Sequence, residues 1–351
     1  MKKVGIVTIN DYNNYGNRLQ NYAVEKILQK LDIDVVTLKN EPCSNTKENF
    51  WLRKIKSCFN KDSYSNIEER KLCFENFNKY INFSKNKISV FSKLNEYDFF
   101  ITGSDQVWNP NFGRLREVDM LAFAPPQKRI SFSASFGVKE LNKKECQKVE
   151  DEISVFKAIS VREESGKKII EKITGREDVI VLLDPTMMLS DKEWEKVAKK
   201  PKMLKDERYI LNYFLGDLSE KRKLVIEEIA KKNNCKIINI LDINDPFYCT
   251  GPSEFLYLEK NAFLICTDSF HSSVFSIIFE KPFLVFDRED SHVAMNSRIE
   301  TLLSKFNLQN RRFNEKLSGN LFSIDYEKSK KVIEEEKYKT MKFLKDALSV
   351  E

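Results

Sequence analysis

The sequence predicts an α/β protein made of two parallel-sheet halves, and three observations carry the prediction. Apolar runs of strand length recur along the chain, helical stretches alternate with them, and polar residues that bear chemistry collect where the runs end. At 351 residues the chain exceeds one simple core and suits two domains. With 41% hydrophobic and 32% charged residues, its composition is that of an ordinary globular protein.

The first series of strand-like runs is Lys3 to Ile9, Val35 to Leu38, Asp98 to Thr102, Arg129 to Ala134, Ala158 to Val161 and Val179 to Leu183. Amphipathic stretches separate several of them, the pattern of a parallel sheet covered by helices. A second series follows: strand Tyr209 to Phe214, helix Ser219 to Asn233, strands Lys236 to Ile240 and Ala262 to Thr267, helix Phe270 to Phe279, and strand Phe283 to Phe286. The boundary falls between Asp184-Pro185 and Tyr209. This gives an N-terminal α/β domain over 1–190, a C-terminal one over 191–325, and a charged amphipathic helix over 326–351 packing back on the first domain. The polar segment 40–66, with Pro42 and no clean periodicity, reads as an excursion from the first domain.

The net charge of +6 arises from 59 basic and 53 acidic residues spread along the chain. That distribution argues against a nucleic-acid surface and is compatible with an anionic substrate. Seven cysteines form no CxxC pair and are odd in number, so neither a zinc site nor a complete disulfide framework is indicated, and a reducing cytoplasm is the expected home. The apolar run after Met1 is too short for a signal-peptide core. The longest apolar stretch, Val274 to Phe286, is broken by Glu280, Lys281 and Pro282, so no membrane span is expected.

ICTDSFHSSVFSIIF, Ile265 to Phe279, is the most informative segment. A buried strand ends at Thr267, Asp268 or Ser269 serves as helix cap, and His271 falls in the first helical turn. Backbone N–H groups and the positive end of the helix dipole meet there, beside a side chain that titrates near neutrality. An ordinary cap uses the same residue types. In DYNNYGNRLQNYA the first strand runs into Asn13, Asn14, Gly16, Asn17 and Arg18 ahead of a helix, without the spacing of a dinucleotide or phosphate loop. FFITGSDQVWNP places Gly103, Ser104, Asp105 and Gln106 after another strand, with Trp108 either walling a sugar site or filling the core. Arg162 follows the strand Ala158 to Val161, where its fork suits a carboxylate or phosphate. Asp184-Pro185-Thr186 ends the next strand, and Arg298 opens a late helix. No GxSxG accompanies His271, and with only His271 and His292 available no metal site is expected.

The ordered set DYNNYGNRLQNYA, ITGSDQVWNP, ISVREESG, LLDPT and TDSFHSSVFSIIF resembles the polysaccharide pyruvyl transferase family, over about Lys3 to Leu308. The resemblance implies two Rossmann-like domains facing a cleft, GT-B-like. It also implies transfer of a pyruvyl group from phosphoenolpyruvate to two sugar hydroxyls as a ketal. It makes His271 the catalytic histidine of the donor site and Arg162 the arginine of a VRD-like motif, and it matches Asn14, Gly16 and Asn17 to the N-terminal loop. Ser269 stands where many members have an arginine, and Glu163 where they have aspartate. The anion charge then falls to Arg298, Arg18 or Lys281, or the donor differs. The expected substrate-binding set is Arg162, Ser269, Arg298, Arg18, Asn14, Gly16, Asn17, Gly103, Ser104, Asp105 and Trp108. No metal or resident cofactor is implied; phosphoenolpyruvate is the co-substrate. The acceptor is a cell-surface glycan or its precursor, free, lipid-linked or nucleotide-linked, a lipid-linked one bringing peripheral membrane association. A GT-B-type nucleotide-sugar glycosyltransferase and a non-catalytic glycan-binding relative are the competing readings.

Overall fold

The computed structural model describes residues 1–40, 61–288, 296–314 and 321–350. The chain divides into two compact units. Unit one holds the described residues of Met1–Cys58, Asn78–Met188 and Glu334–Glu351; unit two holds those of Phe59–Phe77 and Leu189–Ile333.

In unit one, strands β1 (Lys3–Val7), β2 (Asp34–Lys39), β3 (Phe83–Lys87), β4 (Phe99–Thr102), β5 (Arg129–Ala134), β6 (Ala158–Val161) and β7 (Ile180–Val181) form one sheet. All its pairings are parallel, in the order β3-β2-β1-β4-β5-β6-β7. The interior strands bury Val4, Ile6, Ile101, Ile130 and Val161 completely, as expected where helices cover both faces. The strand order reverses between β1 and β4. Loops leaving the carboxyl ends of those strands therefore diverge, which opens the crevice that ligands use in such sheets. Edge strand β3, FSKNK, escapes sequence detection because its face is polar and largely exposed.

Helix α1 (Tyr15–Gln29) follows β1 and is capped by Asn14, whose side chain accepts from Asn17 N–H. It is not the amphipathic helix its sequence suggests. Nearly every residue is buried, including Asn17, Arg18, Gln20, Asn21 and Glu25, because those polar groups find internal partners. Helix α2 (Lys61–Phe77) belongs to unit two. The predicted excursion 40–66 therefore divides: 41–60 lie outside the described residues, and 61–66 open a helix of the other unit. That helix is anchored by Arg70, which donates to Tyr248 O at 2.8 Å and lies over the rings of Phe74 and Tyr248. Helices α3 (Lys143–Ile153) and α4 (Glu164–Thr174) return unit one to its sheet. α3 begins with a capping box between Asn142 and Glu145, and α4 ends at Gly175 in the left-handed conformation.

Unit two contains α5 (Asp191–Glu195), β8 (Tyr209–Tyr213), α6 (Glu220–Lys232), β9 (Lys236–Asn239), α7 (Pro252–Asn261), β10 (Leu264–Thr267), α8 (Phe270–Ile278), β11 (Phe283–Val285) and α9 (Asn296–Lys305). Its four strands pair in parallel in the order β11-β10-β8-β9. Ile210, Ile226, Leu264, Cys266, Leu284 and Phe286 belong to one hydrophobic cluster of its core. The predicted α/β class, with two parallel-sheet halves, is the observed one. The last helix, α10 (Glu327–Leu348), starts in unit two and ends in unit one. There Lys2 and Lys157 donate to the carbonyls of Leu348 and Ala347, each at 2.6 Å, satisfying acceptors that a helix end leaves open.

Gly103 closes β4 with φ of +121°, and a Cβ there would lie 2.2 Å from Phe132 O, a backbone atom unable to yield. Gly103→Ala is therefore expected to lower stability by more than about 3 kcal/mol, read as a fall in melting temperature or loss of soluble protein.

Candidate functional site

Two polar constellations emerge, one in each unit. In unit one, Arg162 leaves β6 with its side chain only 2% exposed. Its NH1 donates to Asp184 Oδ2 at 2.7 Å and its NH2 to Asp105 Oδ1 at 3.0 Å, while Nε lies 3.9 Å from Glu163 Oε2. Burial alone would lower the guanidinium pKa, but Asp105, Asp184 and Glu163 together raise it, so it stays charged. The fork expected to hold a substrate anion thus grips two carboxylates of its own chain. The reason is one of charge: three acidic groups buried around one cation would be untenable without it.

The same network gathers other predicted residues. Asn17 Nδ2 donates to Asp105 Oδ2. Ser104 N–H donates to Gln20 Oε1 at 2.8 Å, and Ser104 Oγ to Ser133 O at 2.9 Å. Asp184 Oδ1 accepts from the N–H and hydroxyl of Thr186 at 3.0 and 2.7 Å. Glu163 Oε1 accepts from Ser135 Oγ at 2.8 Å and Phe136 N–H at 3.1 Å. Asn14 caps α1, and Gly16 is buried in its first turn. Arg18, expected as an anion contact, is 1% exposed, donates to Ile9 O at 2.7 Å and lies over Phe83. Trp108 is core rather than a sugar wall. It has no exposed surface, packs on Phe136 and Phe156, and donates from Nε1 to Asp119 O at 3.2 Å. A residue the sequence reading passed over is Asp11, in the loop after β1. Its Oδ1 accepts from Asn13 and Asn14 N–H, and burial raises its pKa against the pull of Arg18.

In unit two, β10 delivers the chain into α8 through a tight turn at Asp268 and Ser269. Thr267 Oγ1 donates to Tyr213 O at 2.6 Å and accepts from Ser269 N–H at 2.9 Å. Asp268 does not cap α8; its two oxygens accept from Leu215 N–H at 2.6 Å and Gly216 N–H at 2.8 Å, tying the loop after β8 to this turn. Burial raises the Asp268 carboxyl above its ordinary range, opposed by those N–H groups and by Arg288. Ser269 is the cap, accepting from Ser272 N–H. His271 is therefore the second residue of α8, 6% exposed, with its ring edge-on to Phe270.

Two guanidinium groups flank this turn. Arg298, 6% exposed, lies 5.8 Å over the Phe270 ring, and Arg288 Nε is 3.8 Å from Asp268 Oδ2. Arg298 was among the predicted candidates; Arg288 was missed, since nothing in the local pattern DREDSH marks it out. Lys281 follows the far end of this nine-residue helix, about 13 Å along the axis from its start. Of the three proposed replacements for the missing arginine, Arg298 alone stands beside the His271 turn within unit two. Ser272 Oγ meets the fully buried carboxyl of Glu259 on α7 at 2.5 Å. Burial holds that carboxyl well above the usual range, with Ser272 opposing. His292 lies outside the described residues. Three buried or half-buried thiols are poor nucleophiles: burial pushes Cys73 and Cys249 up to about 11 and Cys266 higher still. Among the described residues no group of His, Cys, Asp or Glu is arranged to hold a metal ion, and no helix is long and apolar enough to cross a membrane.

The family model for polysaccharide pyruvyl transferase matches residues 14–291, from the cap of α1 past β11. The chain belongs to that family. Two parallel-sheet units and a histidine at the start of α8 are thus this family member's framework. Solved structures similar to the chain include a UDP-GlcNAc 2-epimerase from Methanocaldococcus jannaschii in complex with UDP-GlcNAc and UDP. It shares 15% identity over 96% of this chain and 100% of that one, with a TM-score of 0.45. A UDP-GlcNAc 2-epimerase from Neisseria meningitidis bound to UDP-GlcNAc is similar at 14% identity over 100% and 95%, with a TM-score of 0.43. No curated protein matches the sequence.

Two expectations follow from the buried charges. Arg162→Met leaves Asp105 and Asp184 without their cation and is expected to cost about 3–5 kcal/mol, measurable by urea unfolding. Glu259 keeps its proton when folded at a pH where the unfolded chain has lost it. Stability therefore falls as pH rises from the ordinary glutamate range toward the raised folded value. Glu259→Gln removes that slope, so its urea midpoint should gain on wild type as pH rises above the ordinary glutamate range.

Proposed function

We propose that this family member transfers a pyruvyl group from phosphoenolpyruvate to two hydroxyls of a sugar in a bacterial cell-surface glycan or its precursor. The observation that carries the reading is the start of α8, where His271 occupies a serine-capped turn beside Arg298 and Arg288. A helix start favours phosphate and carboxylate through its N–H groups and dipole, and two arginines add the charge that Ser269 does not. Arg162 is not assigned to the donor, because its fork is occupied by Asp105 and Asp184. It holds the strand ends of unit one in register instead.

The chemistry asks little more than a proton source and an anion cradle. Protonated His271 gives a proton to the methylene carbon, C2 gains oxocarbenium character, and a sugar hydroxyl adds there as its own proton passes to the imidazole, restoring His271. The bond from C2 to the phosphate oxygen then breaks, and the second hydroxyl closes the ketal, its proton leaving with inorganic phosphate. Donor and diol thus yield ketal and phosphate with atoms and charge balanced. Phosphoenolpyruvate is the co-substrate and no further cofactor enters. The acceptor is a glycan precursor, and a lipid-linked one would bring the protein to the membrane surface. The reaction is assigned to the cytoplasm, where free thiols such as Cys73 and Cys146 stay reduced.

Phosphate release from phosphoenolpyruvate that depends on added glycan is the expected activity. His271→Ala should keep its circular dichroism spectrum and lose about 100-fold or more in turnover. Turnover by that variant near the wild-type rate would remove His271 from the mechanism. Saturable binding of a nucleoside diphosphate, with none of phosphoenolpyruvate, would replace the donor.

A further inference from the structure

Glu259 lies in the last turn of α7 with no exposed surface. Its Oε1 pairs with Ser272 Oγ, and Oε2 has no hydrogen-bond partner among the described residues. A charged carboxylate with one hydroxyl for company would be costly there, whereas a neutral acid is tolerable. Among the described residues Tyr209 of β8 is a titratable group that interacts with it; its hydroxyl donates to Leu258 O at 2.9 Å and is itself held neutral by burial.

Ser272 directly follows His271 and is fixed from three sides. Its N–H donates to the Ser269 cap, its carbonyl accepts from Ser276 Oγ at 2.8 Å, and its hydroxyl meets Glu259. With Ser272 held, the backbone of the preceding residue has little freedom. An ionised side chain at this position would oppose any anion drawn to the start of α8; an uncharged one would not.

We propose that Glu259 is a positioning residue: as an uncharged acid it fixes Ser272, and through it the His271 turn, without setting a negative charge beside the anion site. This rests on reading the start of α8 as the donor site, so the test has an arm that does not depend on turnover. The chain has two histidines, so a His292→Gln background leaves one imidazole signal, that of His271, to follow by NMR. In that background Glu259→Gln should reproduce the parent's His271 titration and its response to inorganic phosphate. Glu259→Ala and Ser272→Ala should each displace the titration by about half a unit or more and weaken phosphate binding about tenfold. Their double variant should be no worse than either alone, since both remove one contact. In turnover, Glu259→Gln should stay within about twofold of the parent, while the alanine variants fall about tenfold in kcat. A folded Glu259→Ala with parental titration and phosphate response overturns the proposal. So does a folded Glu259→Gln that behaves like the alanine variant. If Glu259→Ala does not fold, Ser272→Ala and Glu259→Gln carry the comparison. A parent inactive on phosphoenolpyruvate overturns the donor reading, while the titration and phosphate arm still decides the role of Glu259.

Discussion

The guanidinium of Arg162 is the constraint on which unit one depends. It stands at the carboxyl end of β6 and binds carboxylates contributed after β4 and after β7, so the ends of three strands are tied to one charge. Asp105 passes the connection to Asn17, and Ser104 passes it to Gln20, which brings α1 into the same network. A parallel sheet has no hairpins to set the spacing of its strand ends. Here buried polar contacts do that work, and the density of partners explains why α1 buries its polar face.

Unit two achieves local order by other means. Its ordering element is a run of hydroxyls rather than an ion pair: Thr267, Ser269, Ser272, Ser273 and Ser276 each bond to backbone or to one another's turn. Asp268 reaches out to the loop after β8, and Glu259 reaches in from α7. The result is a helix start held on several sides with a histidine in its second position. The same contacts leave the first turn of α8 little freedom to shift.

Much of this was legible in the residue order. Ten of the eleven described strands fall where apolar runs predict them, to within a residue or two at their ends, and Ser269 and His271 sit where cap rules place them. β3 was invisible because FSKNK carries no apolar run, and α7, which Pro252 opens, was not among the predicted helices. The roles of Arg162, Arg18 and Trp108 were not legible. Each residue type suits a ligand as well as an interior, and only its partners tell the two apart: Asp105 and Asp184, Ile9 O, and the rings of Phe136 and Phe156.

The sequence by itself determined the α/β class, the two series of strands and the capped turn that carries His271, because these follow from local periodicity and hydrogen-bonding preference. The tertiary structure decided where the charges go. It closed Arg162 on carboxylates 57 and 22 residues away, set Arg298 and Arg288 beside the α8 start, and sealed Glu259 against Ser272. Those outcomes depend on which distant groups share a desolvated space, and no local pattern encodes that.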